Sequence, residues 1–223
     1  MHLIIHACPQ RMWFVDGLLV PELKAQGIVE DEITVACDTE RRGNLNSCMR
    51  IFAECKGKPG GAWHLQDDVW PSADFAERVR QYDFGVVCGY VNEEFGPDWK
   101  LWGDVQPFMS WNSFPCIRLP NNLAAACADW FYSDARHRPE LQTWVNTGKR
   151  DDSFFHLFFE EQKEVKNAYN LKPNIVEHVD WLVGGSIVNR WRGHQSRAAY
   201  WDDEQRIEDL ARKIDERNAS QGA

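Results

Sequence analysis

Two adjacent acids, Asp67 and Asp68, directly follow an apolar run that begins at Ala62, and a Trp70-Pro71 pair comes next. A short apolar run bounded by turn residues is typical of a buried strand. Burying a carboxylate is costly unless it is paired or binds metal, so these acids are expected at the rim of a sheet, where open α/β sheets bind ligands. A divalent cation with a substrate phosphate suits two such acids. The alternative is an exposed turn that contains two acids.

Around the acids, the chain alternates between apolar runs and segments with helical spacing. Strands are predicted at 3–7, 33–37, 84–90 and 116–119, helices at 12–26, 44–55, 72–82, 123–136 and 151–166, and an extended segment at 174–183. Pro21 interrupts the first helix, which favours a kink or two short helices. Ser72 is a plausible N-cap of the third helix. Such alternation predicts an α/β fold with a mostly parallel sheet flanked by helices.

Composition narrows the class of protein. With 223 residues, of which 43% are hydrophobic, the chain can form one large domain with a sizeable core. The net charge of −9 argues against a general nucleic-acid coat protein, which needs clustered Lys and Arg. Seven cysteines without a CxxC pair or zinc spacing are typical of reduced thiols in a cytoplasmic protein. A signal peptide and a membrane span are not expected, because the start lacks a basic region and no apolar run is long enough.

Five segments, by their order and spacing, resemble those of nucleotide-sugar glycosyltransferases of the GT-A fold, in particular small bacterial and phage-borne enzymes. They are residues 4–11, 46–50, 65–69, 150–153 and 173–180, the last resembling a late P-x-hydrophobic-V-x-H segment. The resemblance implies a GT-A-like, Rossmann-type domain at 1–200, followed by a charged helical tail at 201–223. One departure is Gln66, since the family motif is usually Asp-x-Asp or Glu-Asp-Asp. Gln adds no negative charge, which bears on the strength of metal binding.

The resemblance implies a Mn²⁺ or Mg²⁺ site. Asp68 would be the direct ligand, with Asp67 and Gln66 near the ribose or behind the ligand. His178 would be a further ligand, since neutral imidazole commonly binds metals. The alternatives are that one acid caps the helix at Ser72 and that His178 is an ordinary packed histidine.

The acceptor hydroxyl needs a general base, and Asp152 is the first candidate, with Asp151 second. An inverting transferase uses a carboxylate or a histidine to take the proton of that hydroxyl. Both acids lie at the predicted start of a helix, where the alternative role is a plain N-cap.

Candidate nucleotide-binding residues follow from where the donor would lie in this fold. They are Ala7, Cys8, Pro9 and Arg11 after the first strand, Asp38 at the end of the second, Arg50 on the following helix, and Arg190 and Arg192, with Arg197, in a basic late segment. Asp38 would bind the base or ribose, and the late arginines would bind the diphosphate, because arginine forks suit phosphate. The alternatives are a turn residue, a surface salt bridge at Arg50 and a solvated basic face.

The expected function is metal-dependent transfer of a sugar, with an inverting course, from a nucleotide-diphosphate sugar, UDP-sugar favoured, to an acceptor hydroxyl. The acceptor is a glycan or a hydroxylated base in phage DNA, so a nucleic acid is a candidate partner. The expected location is the cytoplasm of a bacterial cell or phage-infected host. One alternative is a nucleotidyltransferase, although those enzymes usually carry a Gly-rich loop after the first strand. The other is a non-catalytic accessory protein that binds a nucleotide or glycan.

Overall fold

The computed structural model of the chain describes residues 1–90, 105–106, 114–162, 168–171, 173–184, 198 and 201–221. The strands are β1 (Leu3–Ala7), β2 (Ile33–Cys37), β3 (Gly61–Gln66), β4 (Val69–Pro71), β5 (Val87–Cys88), β6 (Val105–Gln106), β7 (Cys116–Pro120), β8 (Ala168–Asn170) and β9 (Val176–His178). The helices are α1 (Met12–Phe14), α2 (Val20–Ala25), α3 (Asn44–Ala53), α4 (Phe75–Gln81), α5 (Asn121–Ser133), α6 (Gln142–Thr147), α7 (Asp151–Gln162) and α8 (Glu204–Gln221).

Seven of these strands form one sheet in the order β2-β1-β3-β7-β5-β8-β6, and β4 and β9 form a separate pair. β1 is parallel to β2 and β3, β7 is antiparallel to both of its neighbours, β5 is parallel to β8, and β6 is antiparallel to β8. Five strands therefore run in one direction, and only β7 and β6 run against them. The predicted α/β fold with a mostly parallel sheet flanked by helices is confirmed.

Alternate residues of each strand face opposite sides of the sheet, and each side has its own core. Leu3 and Ile5 of β1 join a cluster that includes Leu210 of α8, while Ile4 packs with Ile51 of α3. A further cluster, beneath α3, α5 and α7, is rich in phenylalanine and includes Phe52, Phe131, Phe154, Phe155 and Phe158. The helix α8, in the predicted charged tail, therefore covers part of the main core. No described helix is long and apolar enough to cross a membrane.

The first helical segment changes form before its proline. α1 continues into a π-helical turn at Val15–Leu19, and α2 then begins at Val20 with Pro21 in its first turn. The Val20 N–H donates to the oxygen of Val15 and the backbone stays right-handed helical at Leu19 and Val20, so the π-helical turn joins α1 to α2 without a break. Two short α-helices, one of the two expected forms, are present, but the helix changes form at Val15–Leu19 and not at Pro21.

Two local predictions around residue 70 are wrong. The Trp70-Pro71 turn is instead strand β4, in which Trp70 pairs with Glu177 of β9. α4 begins at Phe75 rather than Ser72, and the Ser72 hydroxyl lies 2.7 Å from the Asp74 carboxylate, to which it donates. A long-range strand pairing overrides the local turn signal here, and proline is tolerated in such a short edge strand.

Candidate functional site

Pairing between β4 and β9 brings a histidine to the acids that follow β3. Val69 is the register partner of His178, and the Val179 N–H donates to the backbone oxygen of Asp68 over 2.7 Å. As a result His178 Nε2 lies 3.2 Å from Asp68 Oδ2. The side chains of Asp68 and His178 are only 9% and 14% exposed, so water screens their interaction little.

The loop after β1 supplies a cation to the same acids. The Cys8 N–H donates to Asp67 Oδ2 over 2.7 Å, and Arg11 Nη1 donates to Asp67 Oδ1 over 2.8 Å. The same Nη1 also donates to Asp68 Oδ2. Arg11, Asp67 and Asp68 are only 5%, 6% and 6% exposed, so they form a buried ion cluster. Removing one of the three would leave the remaining buried charges without a counter-ion, which is costly.

Electrostatics separate the two acids. Burial raises the pKa of Asp68, but His178 and Arg11 outweigh it, and the pKa of Asp68 lies well below its usual value. Burial and the neighbouring Asp68 carboxylate raise the pKa of Asp67 in spite of Arg11. Burial lowers the pKa of His178, but the Asp68 carboxylate raises it by more, so the net shift is upward. Asp68 is therefore the more firmly ionised acid of the pair.

Some polar atoms of this site are buried without a hydrogen-bond partner among the described residues. They include Asp68 Oδ1, His178 Nδ1 and Asp180 Oδ1. Asp180 Oδ1 is 3.9 Å from His178 Nδ1, too far for a hydrogen bond. Buried polar atoms are normally satisfied, so these atoms mark a place where a ligand, ion or water would gain contacts.

The donor set fits a divalent ion in part. Two neighbouring ligands of an octahedral ion, with bonds of about 2.1 Å, lie about 3 Å apart, which matches Asp68 Oδ2 and His178 Nε2 at 3.2 Å. Within the described ranges, no group of three or more His, Cys, Asp and Glu side chains is arranged to hold a metal. Asp68 and His178 therefore fit a two-ligand site that phosphate and water would complete, and Arg11 already contacts the same Asp68 oxygen.

Asp151 lies at the same edge of the sheet. It is the first residue of α7 and is 9% exposed. Gln66 Nε2, at the end of β3, lies 3.4 Å from Asp151 Oδ2, a long hydrogen bond. The structure thus places Asp151 next to the residue that precedes the two acids. Asp152 is the second residue of α7, and its side chain lies outside the described part of the chain.

A close backbone contact fixes the loop before α7. Gly148 has φ +63°, and a Cβ on it would lie 2.3 Å from the Arg42 carbonyl oxygen. The Leu45 N–H donates to Gly148 O over 2.9 Å, and Asn46 Nδ2 donates to Val145 O over 2.9 Å. Only glycine fits there, and the contact ties the start of α7 to the start of α3.

The remaining predicted nucleotide residues are divided between the rim and the surface. Asp38 N donates to the oxygen of Ala7 over 2.8 Å, so both residues lie at the carboxyl ends of β1 and β2, and Asp38 Oδ2 accepts from Gly43 N over 2.9 Å. Arg50 instead forms an i,i+4 pair with Glu54, 2.9 Å long, on the surface of α3. The surface salt bridge, one of the two roles expected for Arg50, is what the structure contains.

Pro9 is exposed and begins the 3₁₀ turn Pro9–Arg11, next to the cluster. Arg190, Arg192 and Arg197 lie outside the described residues. Of the predicted site residues, the structure brings together Cys8, Arg11, Gln66, Asp67, Asp68, Asp151 and His178 at one edge of the sheet.

Asp180 was not among the site residues predicted from the sequence. Side chains two positions apart on an extended segment face the same side, so the spacing of His178 and Asp180 was the available signal. Arg11 was predicted to bind the nucleotide, and only the folded chain shows that it contacts the two acids.

A pair of histidines, His6 and His64, lies apart from the acids. His6 Nε2 is 2.9 Å from His64 Nδ1, and the rings of Phe52 and Phe114 pack on this pair. Burial, with a smaller effect of Arg50, lowers the pKa of His6 to about 3, and burial lowers the pKa of His64 well below its usual value. Both rings are therefore neutral at pH 7, and the pair belongs to the interior of the protein.

No family model matches the sequence, and no curated protein sequence matches it significantly. Among solved structures, the chain is similar to a putative glucose-1-phosphate thymidylyltransferase from Bacillus anthracis in complex with a sucrose, with 8% identity and a TM-score of 0.44, over 80% of this chain and 89% of that one. It is also similar to HddC from Yersinia pseudotuberculosis, with 12% identity and a TM-score of 0.41, over 77% and 91% of the two chains.

A third similar structure is a mutant of Drosophila β-1,4-galactosyltransferase 7 in complex with manganese, UDP-Gal and xylobiose. It has 9% identity and a TM-score of 0.38, over 92% of this chain and 74% of that one. These names include a glycosyltransferase, the class expected from the sequence, and a putative nucleotidyltransferase, one of the two alternatives. At such identities and TM-scores, the likeness carries no inference about activity.

Proposed function

We propose that the chain transfers a sugar from a nucleotide-diphosphate sugar to the hydroxyl of an acceptor. The observation that carries the proposal is the buried cluster of Asp67, Asp68, Arg11 and His178 at the carboxyl end of β3. Open α/β sheets bind ligands at that edge, and a buried group of charges with unsatisfied polar atoms is more typical of a binding site than of a core.

Asp68 and His178 would hold the Mn²⁺ or Mg²⁺ ion of the proposal, and Asp67 would stand behind Asp68. When bound, the ion would supply positive charge to the diphosphate as it leaves the sugar. Arg11 adds a fixed positive charge beside the same acids, and the Cys8 N–H holds the Asp67 carboxylate in place. The protein's part is to present charges that are already oriented before the donor arrives.

The donor nucleotide would lie along the ends of β1 and β2, where Ala7, Cys8, Pro9 and Asp38 are found. A UDP-sugar is the favoured donor, and Arg190 and Arg192 would contact its diphosphate. Free thiols at all seven cysteines support the proposed cytoplasmic location, in a bacterial cell or phage-infected host, because disulfides are rare there.

The proposed general base is one of the pair Asp151 and Asp152, at the start of α7. Asp151 is in reach of Gln66, which places a buried carboxyl beside the proposed donor site. A base on the acceptor side of the sugar would give inversion, because the acceptor oxygen then attacks opposite the leaving diphosphate. The proposed acceptor is a saccharide, with a hydroxylated DNA base as the second case for the assay.

The test is release of nucleoside diphosphate from UDP-glucose, UDP-galactose and GDP-mannose, with Mn²⁺, in the presence of mixed saccharides or hydroxymethylated DNA. We expect release with one donor, and loss of at least about 100-fold in Asp68→Asn, in line with removal of a transition-state charge contact. Asp129→Asn is the control, since Asp129 is an exposed residue of α5 that pairs with Lys56. Pyrophosphate release from a nucleoside triphosphate and a sugar phosphate would instead identify a nucleotidyltransferase, and nucleotide binding without turnover would identify an accessory protein.

A further inference from the structure

One guanidinium nitrogen of Arg11 contacts two carboxylates. Its Nη1 donates to Asp67 Oδ1 and to Asp68 Oδ2, and the three side chains are 6–9% exposed. The backbone holds this arrangement, since Arg11 N donates to Cys8 O over 3.1 Å and closes the turn that follows β1. An arginine held this way is part of the site's permanent charge and is not a mobile surface side chain.

The oxygen that Arg11 contacts is the oxygen that faces His178. Asp68 Oδ2 accepts from Arg11 Nη1 and lies 3.2 Å from His178 Nε2, while Asp68 Oδ1 is buried and has no hydrogen-bond partner among the described residues. A divalent ion that binds between Asp68 and His178 therefore meets the guanidinium charge at the same carboxylate. Two cations that share one carboxylate repel each other, and further negative charge beside them offsets that repulsion.

We propose that Arg11 is the resident counter-ion of Asp67 and Asp68, and that it makes the site bind a divalent ion weakly until a donor diphosphate adds its charge. The part that concerns the donor rests on the proposed function, whereas the competition between Arg11 and the ion does not. Arg11 is thus a positioning residue that couples the metal to the donor. A divalent ion alone would bind weakly, and the ion and the diphosphate would each strengthen the binding of the other.

The experiment measures Mn²⁺ binding directly, by the EPR signal of free Mn²⁺, in the full-length protein with and without UDP. For the wild type we expect UDP to tighten Mn²⁺ binding by at least about tenfold, as expected when a nearby charge of opposite sign is added. In Arg11→Gln we expect Mn²⁺ alone to bind at least about tenfold more tightly than in the wild type, and the effect of UDP to shrink. Arg11→Lys keeps the charge and should stay close to the wild type.

Arg118→Gln is the matched control, because Arg118 is also buried and ion-paired, to Asp83 over 2.9 Å, but lies on β7 away from the acids. Its Mn²⁺ affinity should not change. Unchanged or weaker Mn²⁺ binding in folded Arg11→Gln would overturn the proposal. If that variant does not fold, the wild-type measurement decides, since equal Mn²⁺ affinity with and without UDP would overturn it as well. Sugar transfer without these Mn²⁺ effects would reject the role of Arg11 alone, and tighter Mn²⁺ binding in Arg11→Gln without transfer would reject only the proposed function.

Discussion

Replacing Gly148 by alanine would test whether the close contact between the α6–α7 loop and the start of α3 stabilises the protein and places Asp151. The added Cβ would lie 2.3 Å from the Arg42 carbonyl oxygen and 2.7 Å from Gly43 Cα, whereas ordinary van der Waals contact begins near 3.4 Å. Both neighbours are backbone atoms, so no side chain can move aside. The loop must shift by about 1 Å to relieve the contact.

The cost of Gly148→Ala has two parts. A non-glycine residue in the left-handed region costs about 1–2 kcal/mol. The shift of the loop also weakens the hydrogen bonds from Leu45 N to Gly148 O and from Asn46 Nδ2 to Val145 O, at about 1 kcal/mol each. We expect the free energy of unfolding to fall by about 3–4 kcal/mol.

Urea denaturation of Gly148→Ala beside Gly57→Ala separates the two parts. Gly57 has φ +76° and no atom within 4 Å of an added Cβ, so its replacement carries only the backbone strain, about 1–2 kcal/mol. If Asp151 acts as the base, Gly148→Ala also lowers kcat, because a displacement of about 1 Å can cost roughly 100-fold. Equal losses of stability in the two variants would refute the argument from the close contact.

Three predictions concern titration. Because the pKa of His178 is raised in the fold, its pair with Asp68 stabilises the protein fully below the ordinary histidine pKa, near 6.5. That stabilisation is lost as pH rises through the pKa of the folded state. Thermal melts from pH 6 to 9 should show the decline in the wild type and not in His178→Gln. His6, with a pKa of about 3, and His64, with a pKa well below its usual value, are both neutral in the fold, so stability should fall as pH drops below 6.5. Each histidine contributes up to about 1.4 kcal/mol per pH unit, and His6→Gln should make that slope shallower. Burial and then Asp67 raise the pKa of the Cys8 thiol to about 12, so iodoacetamide should modify Cys8 slowly at pH 8 and faster in Asp67→Asn, as mass spectrometry would show.

Local patterns were sufficient to predict the first two strands and the position of the acids. Residues 3–7 and 33–37 form β1 and β2 with the predicted bounds, since each is a short apolar run between polar segments. The run that ends at Gln66 likewise forms β3, and Asp67 and Asp68 follow it at the rim. In these cases the local apolar pattern and the tertiary environment agree.

Tertiary pairing determined what the sequence did not predict. The predicted strand at 84–90 is reduced to β5, Val87–Cys88, where its ladders with β7 and β8 set its length. β4 exists because it pairs with β9, far along the chain. The contact between His178 and Asp68 has the same origin, and family resemblance, not spacing, suggested it. A single arginine after a strand gave no local sign that Arg11 would lie between two acids.

The reversed direction of β7 determines how the edge of the sheet near the two acids is built. Because β7 runs against β3, the chain enters β7 at the edge where β3 ends, and Gln66 N donates to Pro115 O over 2.9 Å. The edge is therefore built from strand ends on one side of β3 and from a strand beginning on the other. If the chain transfers a sugar as proposed, changes at Phe114 and Pro115 could alter which acceptor is used while residues 1–69, with the proposed donor site, stay the same.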